Sequence, residues 1–460
     1  MSSEPRVRII GGGLGGSEAA WQLARFGVPV LLEEMRPVRP TPAHQTDRLA
    51  EVVCSNSFKS NDLHTASGVL KEELRLLGSL LISIADRCRV PAGQALAIDR
   101  ELFAAGVTEA LEAEPLITIE RREAVDLDGP LPIIMATGPL TSGPLSQALA
   151  SVTGEDNLHF YDAIAPIIVA DSIDRSVAWA QSRYDKGEGV YLNCPLDEEQ
   201  YRRFVAEVKE ASAIQLKDFE KSEFFEACLP IEETARRGDD TLAFGPMKPV
   251  GLTDPRTGER AHAVVQLRQD DVAAEHYGMV GFQTNLRFPE QERIFRTIPG
   301  LEKAVFARLG QMHRNAYVDP PAVLHASGRT RKRRDLFIAG QLCGVEGYVE
   351  SVASGLLAAW NIAIDLGVVP ESARPSSGED LVPPEITMIG ALQRYVTNAD
   401  RHDRQPMNAA FGLMPTLPPT PDGKKRKRRQ RNEAQSERAL TAMTEWATTH
   451  RPPAVMTDAG

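Results

Sequence analysis

Val7-Arg8-Ile9-Ile10-Gly11-Gly12-Gly13-Leu14-Gly15-Gly16 is the stretch that decides the architecture of this chain. Val7 to Ile10 is short, largely apolar and β-branched, which suits a buried strand. Beyond the glycines, Ala19, Ala20, Leu23 and Ala24 recur at helical spacing, and Val28-Pro29-Val30-Leu31-Leu32 reads as a second buried strand. Each glycine of Gly11-x-Gly13-x-x-Gly16 has a mechanical task. Gly11 permits the tight turn, Gly13 lets backbone N–H groups approach a pyrophosphate, and Gly16 allows close helix–strand packing. The positive end of the following helix then faces the phosphates. Gly12, Leu14 and Gly15 complete the same turn. Glu34 closes the second strand about twenty residues on, where a carboxylate accepts hydrogen bonds from an adenosine ribose and disfavours a 2′-phosphate. Strand, glycines, helix, strand and acid arrive in order, so a dinucleotide site opens at Gly11.

Working outward, Leu131 to Ala136 reads as another strand, ending at Thr137-Gly138, and Leu336 to Gly340 as a third. A glycine-containing turn and a small-residue helix from Ser351 to Ile364 follow. The Leu336 to Gly347 segment looks like the late strand and turn of FAD-dependent folds, with Gln341 where an Asp often stands; Gly340, Gln341, Gly347 and Tyr348 are therefore flavin candidates. No second GxGxxG follows a later strand, so any nicotinamide reductant binds transiently. Between about 176 and 305, charged helical stretches alternate with strand-like pieces such as Ala263 to Leu267. The expected fold is α/β, an FAD-binding Rossmann-like domain of the glutathione-reductase type, interrupted by a smaller α+β insertion domain. Its expected bounds are 1–175 for the first part of the FAD domain, 176–305 for the insertion, 306–445 for the second part with a basic loop, and 446–460 for a tail.

The chain has 460 residues and a net charge of −11. No apolar run reaches the length of about 18 residues needed to cross a bilayer, and Met1 leads almost directly into a strand, so a cytoplasmic location is expected. Five cysteines, at 54, 88, 194, 228 and 343, include no CxxC pair, which argues against a zinc or redox motif; no metal is expected. The net charge argues against a polyanionic partner, but its distribution does not. Arg329, Arg331, Lys332, Arg333 and Arg334 form one basic cluster, and Lys424 to Arg431 another within a Pro- and charge-rich stretch.

Glu51-Val52-Val53-Cys54-Ser55-Asn56-Ser57-Phe58 and Phe225-Glu226-Ala227-Cys228-Leu229-Pro230-Ile231-Glu232 resemble the folate- and FAD-dependent tRNA uracil-5-methyltransferases. So do Glu34-Met35-Arg36-Pro37, Val90-Pro91-Ala92-Gly93, Ala136-Thr137-Gly138-Pro139, Tyr191-Leu192-Asn193-Cys194-Pro195, Phe244-Gly245-Pro246-Met247-Lys248-Pro249, Met312-His313-Arg314-Asn315 and Gly344 to Ser351. The chain departs from that pattern at Gln94 and Ala227, where the family usually has Gly, and at Cys343, where it has Thr. The resemblance implies an enzyme that makes ribothymidine in the T loop of tRNA, with methylenetetrahydrofolate as carbon donor, FAD as cofactor and NAD(P)H as reductant. It also implies that Cys54 and Cys228 are catalytic and that Glu34, Arg36, Thr137 and Gly138 belong to the flavin site.

Methylating C5 of uracil requires that carbon to become nucleophilic, which a thiolate achieves by adding at C6; a base then removes the C5 proton. Cys54 is read as following an apolar strand and preceding a polar turn able to stabilise a thiolate. Glu226 and Glu232 flank Cys228 and would raise its pKa, which suits a base or a thiol engaged only with tRNA. Because the insertion is within reach of RNA, Cys228 is the sequence-based choice for addition to uracil, with Cys54 against the flavin. Lys248, Arg268, His313 and Arg314 are candidates for the folate tail or tRNA, and Tyr348 for covering the flavin or placing the folate. Two other classes are weighed: the larger flavoproteins that modify wobble uridines, which have a long extra C-terminal domain, and a flavin oxidoreductase without methyl transfer.

Overall fold

The computed structural model describes residues 4–154, 158–185, 191–214, 229–375, 379–400, 405–419 and 426–450, with backbone alone at 158–163, 185 and 313–315. Val7–Ile10 is the central strand of a parallel sheet ordered Leu336–Ile338, Ile133–Met135, Val7–Ile10, Val30–Glu34, Ile117–Arg121. Both faces of the inner part of this sheet are covered, so its inner strands are near-continuous apolar runs, whereas the edge strand Ile117–Arg121 alternates. The helix Leu14–Arg25 lies against the long helix Tyr348–Asp365, whose residues from Val349 to Ala363 are all buried. A helix apolar on every side needs a covered position, and this one sits between the opening helix and the C-terminal elements.

A second, antiparallel sheet carries Trp179–Gln181, Tyr191–Leu196, Ala263–Gln269, His276–Met279, Ile167–Val169 and Phe306–Arg308 in that order. Tyr201 and Phe204 of the helix Glu198–Glu210 join Phe282 and Phe295 in a separate core beneath it. Asp197 and Gln200 cap that helix reciprocally, the side chain of each accepting from the other's backbone N–H. Ile167–Val169 and Phe306–Arg308 fall outside the expected bounds at 176 and 305. Three-residue strands carry too little alternation to be seen in sequence. Leu158–Ala163 pairs with Met312–Tyr317 where the chain passes between the two sheets.

The C-terminal expectation needs correction. Arg428 to Arg431, read as part of a mobile loop, form the first turn of a helix running Arg428–His450, and the expected tail boundary at 446 cuts through it. The helix is strongly charged, which hides its packing face. That face is Ala439, Met443, Trp446 and Ala447, at i, i+4, i+7 and i+8. Trp446 stacks on Trp360 with ring centroids 5.3 Å apart and planes at 4°. Trp360 Nε1 in turn donates to Gln22 Oε1 of the opening helix at 3.0 Å. Among the described residues, no helix is long and apolar enough to cross a membrane. Trp446→Ala should cost about 3 kcal/mol of stability, the scale of a buried aromatic truncation, read as a lower urea midpoint by circular dichroism; an unchanged midpoint would show the helix to be a passive appendage.

Candidate active site

The glycine turn holds its shape by close backbone approach. Gly11 sits at φ +103°, a conformation that favours glycine, and a Cβ there would meet Ala136 O at 2.6 Å. A Cβ on Gly16 would lie 1.9 Å from Gly11 O, whereas one on Gly13 would find only Ala136 O, at 4.0 Å. Gly13 therefore presents bare backbone to open space. That space is a cavity of about 340 Å³, lined by Gly11, Gly13, Leu14, Gly15, Glu34, Arg36, Thr137, Gly138, Gly340, Gln341, Gly347 and Tyr348 among others. The helices starting at Leu14 and Tyr348 both open onto it. Two positive helix ends beside backbone without side chains fit the diphosphate of a dinucleotide. Gly12 and Gly16 stand behind this wall.

Glu34 Oε2 accepts from Gly12 N at 2.9 Å, and Oε1 accepts from Arg36 N at 3.0 Å and Arg36 Nε at 2.9 Å. Burial alone would raise its pKa, but Arg36 outweighs burial and holds the carboxyl below the usual range. Three donors leave acceptor capacity for a ribose hydroxyl. Its neighbour Glu33 is committed to Arg8, whose Nε is 2.6 Å away. Gln341 donates to Glu346, and both line the cavity.

Cys54 also lines the cavity, but the segment before it is not a strand. Val52 and Val53 are extended without ladder partners, and their carbonyls are held by side chains from elsewhere. Arg100 Nη1 donates to Val52 O at 2.9 Å, and Arg308 Nη1 to Val53 O at 3.1 Å. Arg268 donates to Ser55 Oγ at 2.7 Å and to Asn56 Oδ1 at 2.8 Å. The Tyr348 hydroxyl accepts from Cys54 N at 2.9 Å and Ser55 N at 3.2 Å, and stands 2.8 Å from Cys54 Sγ. With two N–H groups on its oxygen, the phenol has its own hydrogen free for the sulfur. Burial first, then Cys54, pushes the Tyr348 phenol well above its usual value, so it stays a neutral donor. The other described cysteines differ. Burial pushes Cys194 up to about 12 and Cys343 up to about 11, which leaves these two unreactive, and raises half-buried Cys88.

The remaining candidates scatter. Lys248 is exposed and away from the cavity. Arg268 touches the Cys54 loop rather than lining the cavity itself. His313 and Arg314 lie on the strand Met312–Tyr317, and their side chains fall outside the described residues, as does Cys228. The chain resumes at Leu229, and Ile231 N donates at 2.8 Å to the carbonyl of cavity-lining Gln283. Glu232 is not available to a neighbouring thiol; Thr284 Oγ1 and Asn285 N donate to it at 2.8 and 2.7 Å. Arg329 is likewise not a surface cation. It is buried, paired with Asp365 and Asp380, and lies over the Phe337 ring, so that basic cluster is reduced to exposed Arg331, Lys332 and Arg334 with half-buried Arg333 on Asp335.

Sequence reading missed Arg100, Arg308 and His44. His44 lines the cavity, its Nδ1 2.6 Å from Thr41 Oγ1; burial, then the Arg36 guanidinium, pushes its imidazole down to about 4, so it is neutral near pH 7. No spacing in the sequence announces these three, because their meaning comes from which loop they reach.

The family profile described as "Glucose inhibited division protein A" matches residues 6–367. The methylenetetrahydrofolate–tRNA-(uracil-5-)-methyltransferase TrmFO of Brevibacillus brevis is 52% identical over 440 residues, covering 95% of this chain and 97% of that protein. The chain belongs to the TrmFO family. The Listeria welshimeri TrmFO is 51% identical over 445 residues, covering 96% and 99%. Aquifex aeolicus GidA, a solved structure, superposes with a TM-score of 0.67 at 17% identity, covering 96% of this chain and 76% of its own, and so shares the fold. For a TrmFO-family cavity walled by Gly13 backbone, Gly13→Leu should place a side chain where the diphosphate belongs. The purified variant should fold, by circular dichroism, yet be colourless; a variant with full flavin absorbance would move the diphosphate elsewhere.

Proposed function

We infer that the protein methylates C5 of a tRNA uridine, taking the carbon from methylenetetrahydrofolate and holding FAD in the cavity described above. Reduced FAD supplies the electrons that bring the transferred carbon to the methyl level. The T-loop uridine is the proposed target, and NAD(P)H the proposed transient reductant. The 52% identity with the Brevibacillus TrmFO, over 97% of that protein, supports this reading over wobble-uridine modification.

The observation that carries the chemistry is the setting of Cys54, which faces the cavity beneath a neutral phenol donor and beside three arginines. Such a setting favours a thiolate. The place of Cys228 in the insertion, read from the sequence, favours it for addition to uracil; the charge around Cys54 argues for Cys54. In this scheme the Cys54 sulfur bonds to C6 and the displaced electron pair moves onto the uracil O4 enolate. C5 then attacks the folate methylene carbon, the Cys228 thiolate removes the C5 proton, and the S–C6 bond breaks as the C5=C6 double bond returns. The C–N bond to the folate then breaks as tetrahydrofolate leaves, and reduced FAD, when bound, would supply the hydride that completes the methyl group. His44, being neutral, adds no charge to the cavity.

For tRNA, the support is the exposed first turn of the C-terminal helix, with Arg428, Arg429 and Arg431. Asn432 of that helix donates to His64 O at 3.0 Å, in the loop that follows cavity-lining Lys59. The basic turn thus stands on the chain segment leading out of the site.

Label from the folate methylene should enter tRNA without S-adenosylmethionine, and 5-fluorouracil-containing tRNA should trap a covalent adduct, since fluorine at C5 is not lost as a proton is. Peptide mapping should find the adduct at Cys54. An adduct at Cys228 reverses the two assignments, and label arriving only from S-adenosylmethionine refutes the reaction. Replacing Arg428, Arg429 and Arg431 by Gln should weaken tRNA binding at low salt and flatten its salt dependence by up to about one unit per lost phosphate contact, with flavin content unchanged. An unaltered slope would place the RNA elsewhere.

A further inference from the structure

We propose that Arg268 and Arg308, both reaching in from the second sheet, are positioning residues that keep the Cys54 thiol ionised and fix its loop against the cavity. The inference rests on the reading of Cys54 as the nucleophile.

Arg268 is on the strand Ala263–Gln269 and Arg308 on Phe306–Arg308, at different places in the second sheet, yet both side chains end on the segment Val53 to Asn56. Their bonds go to neutral acceptors only: Ser55 Oγ and Asn56 Oδ1 for Arg268, Val53 O and Ala43 O for Arg308. The carboxylates nearby are already committed. Asp270 is paired with Arg100 at 2.8 Å, and Glu51 with Arg36 at 3.2 Å while also accepting from Thr46. Among the described residues, neither Arg268 nor Arg308 has a carboxylate partner. A desolvated guanidinium without an anion is costly, and burial lowers the pKa of both. The group positioned to offset that cost is the Cys54 sulfur. Among the described residues, the groups facing it are Tyr348 from the long helix, Arg100 from the helix Arg100–Glu112, Arg268 from an inner strand of the second sheet and Asp270 just beyond its end, Arg308 from an edge strand of that sheet, and Glu51 from its own loop. Once the Arg100–Asp270 and Arg36–Glu51 pairs are set aside, positive charge remains, and it favours the thiolate over the thiol.

Asn56 adds the geometric half of the role. Its Nδ2 donates to Ile98 O in the first domain at 3.0 Å and to Gln269 O in the second sheet at 3.0 Å, while Arg268 holds its Oδ1. The nucleophile loop is thus fastened to both domains at one residue.

The test is the pH dependence of iodoacetamide alkylation of the FAD-loaded protein, followed at the Cys54 and Cys88 peptides by mass spectrometry. Wild-type Cys54 should titrate well below half-buried Cys88. Arg268→Gln and Arg308→Gln should each raise the Cys54 inflection by about one unit, an approximately tenfold slower reaction at neutral pH, and leave Cys88 unmoved. Arg268→Lys, which keeps the charge, should stay closer to wild type than Arg268→Gln. Should Arg268→Gln lose flavin or fold, Arg308→Gln and Arg268→Lys carry the comparison. A Cys54 that titrates no lower than Cys88, or that is indifferent to both Gln variants, overturns the proposal. Failure of the nucleophile reading looks different: Cys54→Ala would keep methylating tRNA, while the wild-type alkylation profile and its response to the arginines would stand.

Discussion

Backbone touching backbone without side chains between them is the constraint on which this structure rests. Gly16 lies so close to Gly11 O, and Gly355 so close to Gly15 O, that a Cβ at either position would fall within about 2 Å of a carbonyl oxygen. The opening helix is thereby pressed both onto its own turn and onto the long helix Tyr348–Asp365. Both helices then begin at the same cavity, and Tyr348, the first residue of the second, lands on Cys54. Moving the helices apart by one methyl group would separate the diphosphate cradle from the thiol it serves.

Electrostatics within the site divide along the cavity. At one end, Glu34 and Arg36 satisfy each other and leave the carboxylate further acceptor capacity. At the thiol end, the arginines outnumber the carboxylates free to pair with them. A chain of net charge −11 therefore keeps some of its positive charge inside, facing the chemistry, and some at one helix end, facing solvent. Total charge carries little information about what such a protein binds.

The opening strand, glycine turn, helix and second strand were legible in the sequence because their signals are local: a run, a turn and a helical period within thirty residues of one another; the edge strand Ile117–Arg121 was not read. The place of Glu34, at the end of the second strand and on the cavity wall, was legible for the same reason. The helix at the C-terminus was hidden by its charge, since Ala439, Met443, Trp446 and Ala447 are a thin apolar stripe among Arg, Glu and Gln. The Cys54 site was half legible. Its motif marked the cysteine, but Arg100, Arg268 and Arg308 come from three elements that only the fold brings together. The apolar pair Val52-Val53 looked like a strand, yet its carbonyls bond to guanidinium groups instead of a neighbouring strand. Arg329 misled in the opposite sense, its place in a basic run concealing two acidic partners.

The bond from Trp360 to Gln22, with Trp446 stacked behind it, joins the first helix of the chain to the last. On a ribosome this imposes an order of events. The opening βαβ unit emerges early, but the strand Leu336–Ile338 and the helix that cover its sheet are synthesised more than three hundred residues later. The second sheet, by contrast, is complete once Phe306–Arg308 has emerged, and its core is contiguous in sequence. The insertion is thus free to fold while the nucleotide domain still waits for its second half, so the later-starting domain finishes first. The face of the sheet that carries Ile10, Ile133 and Met135 waits through that interval for Leu336, Ile338 and Val345, so the cavity is completed last.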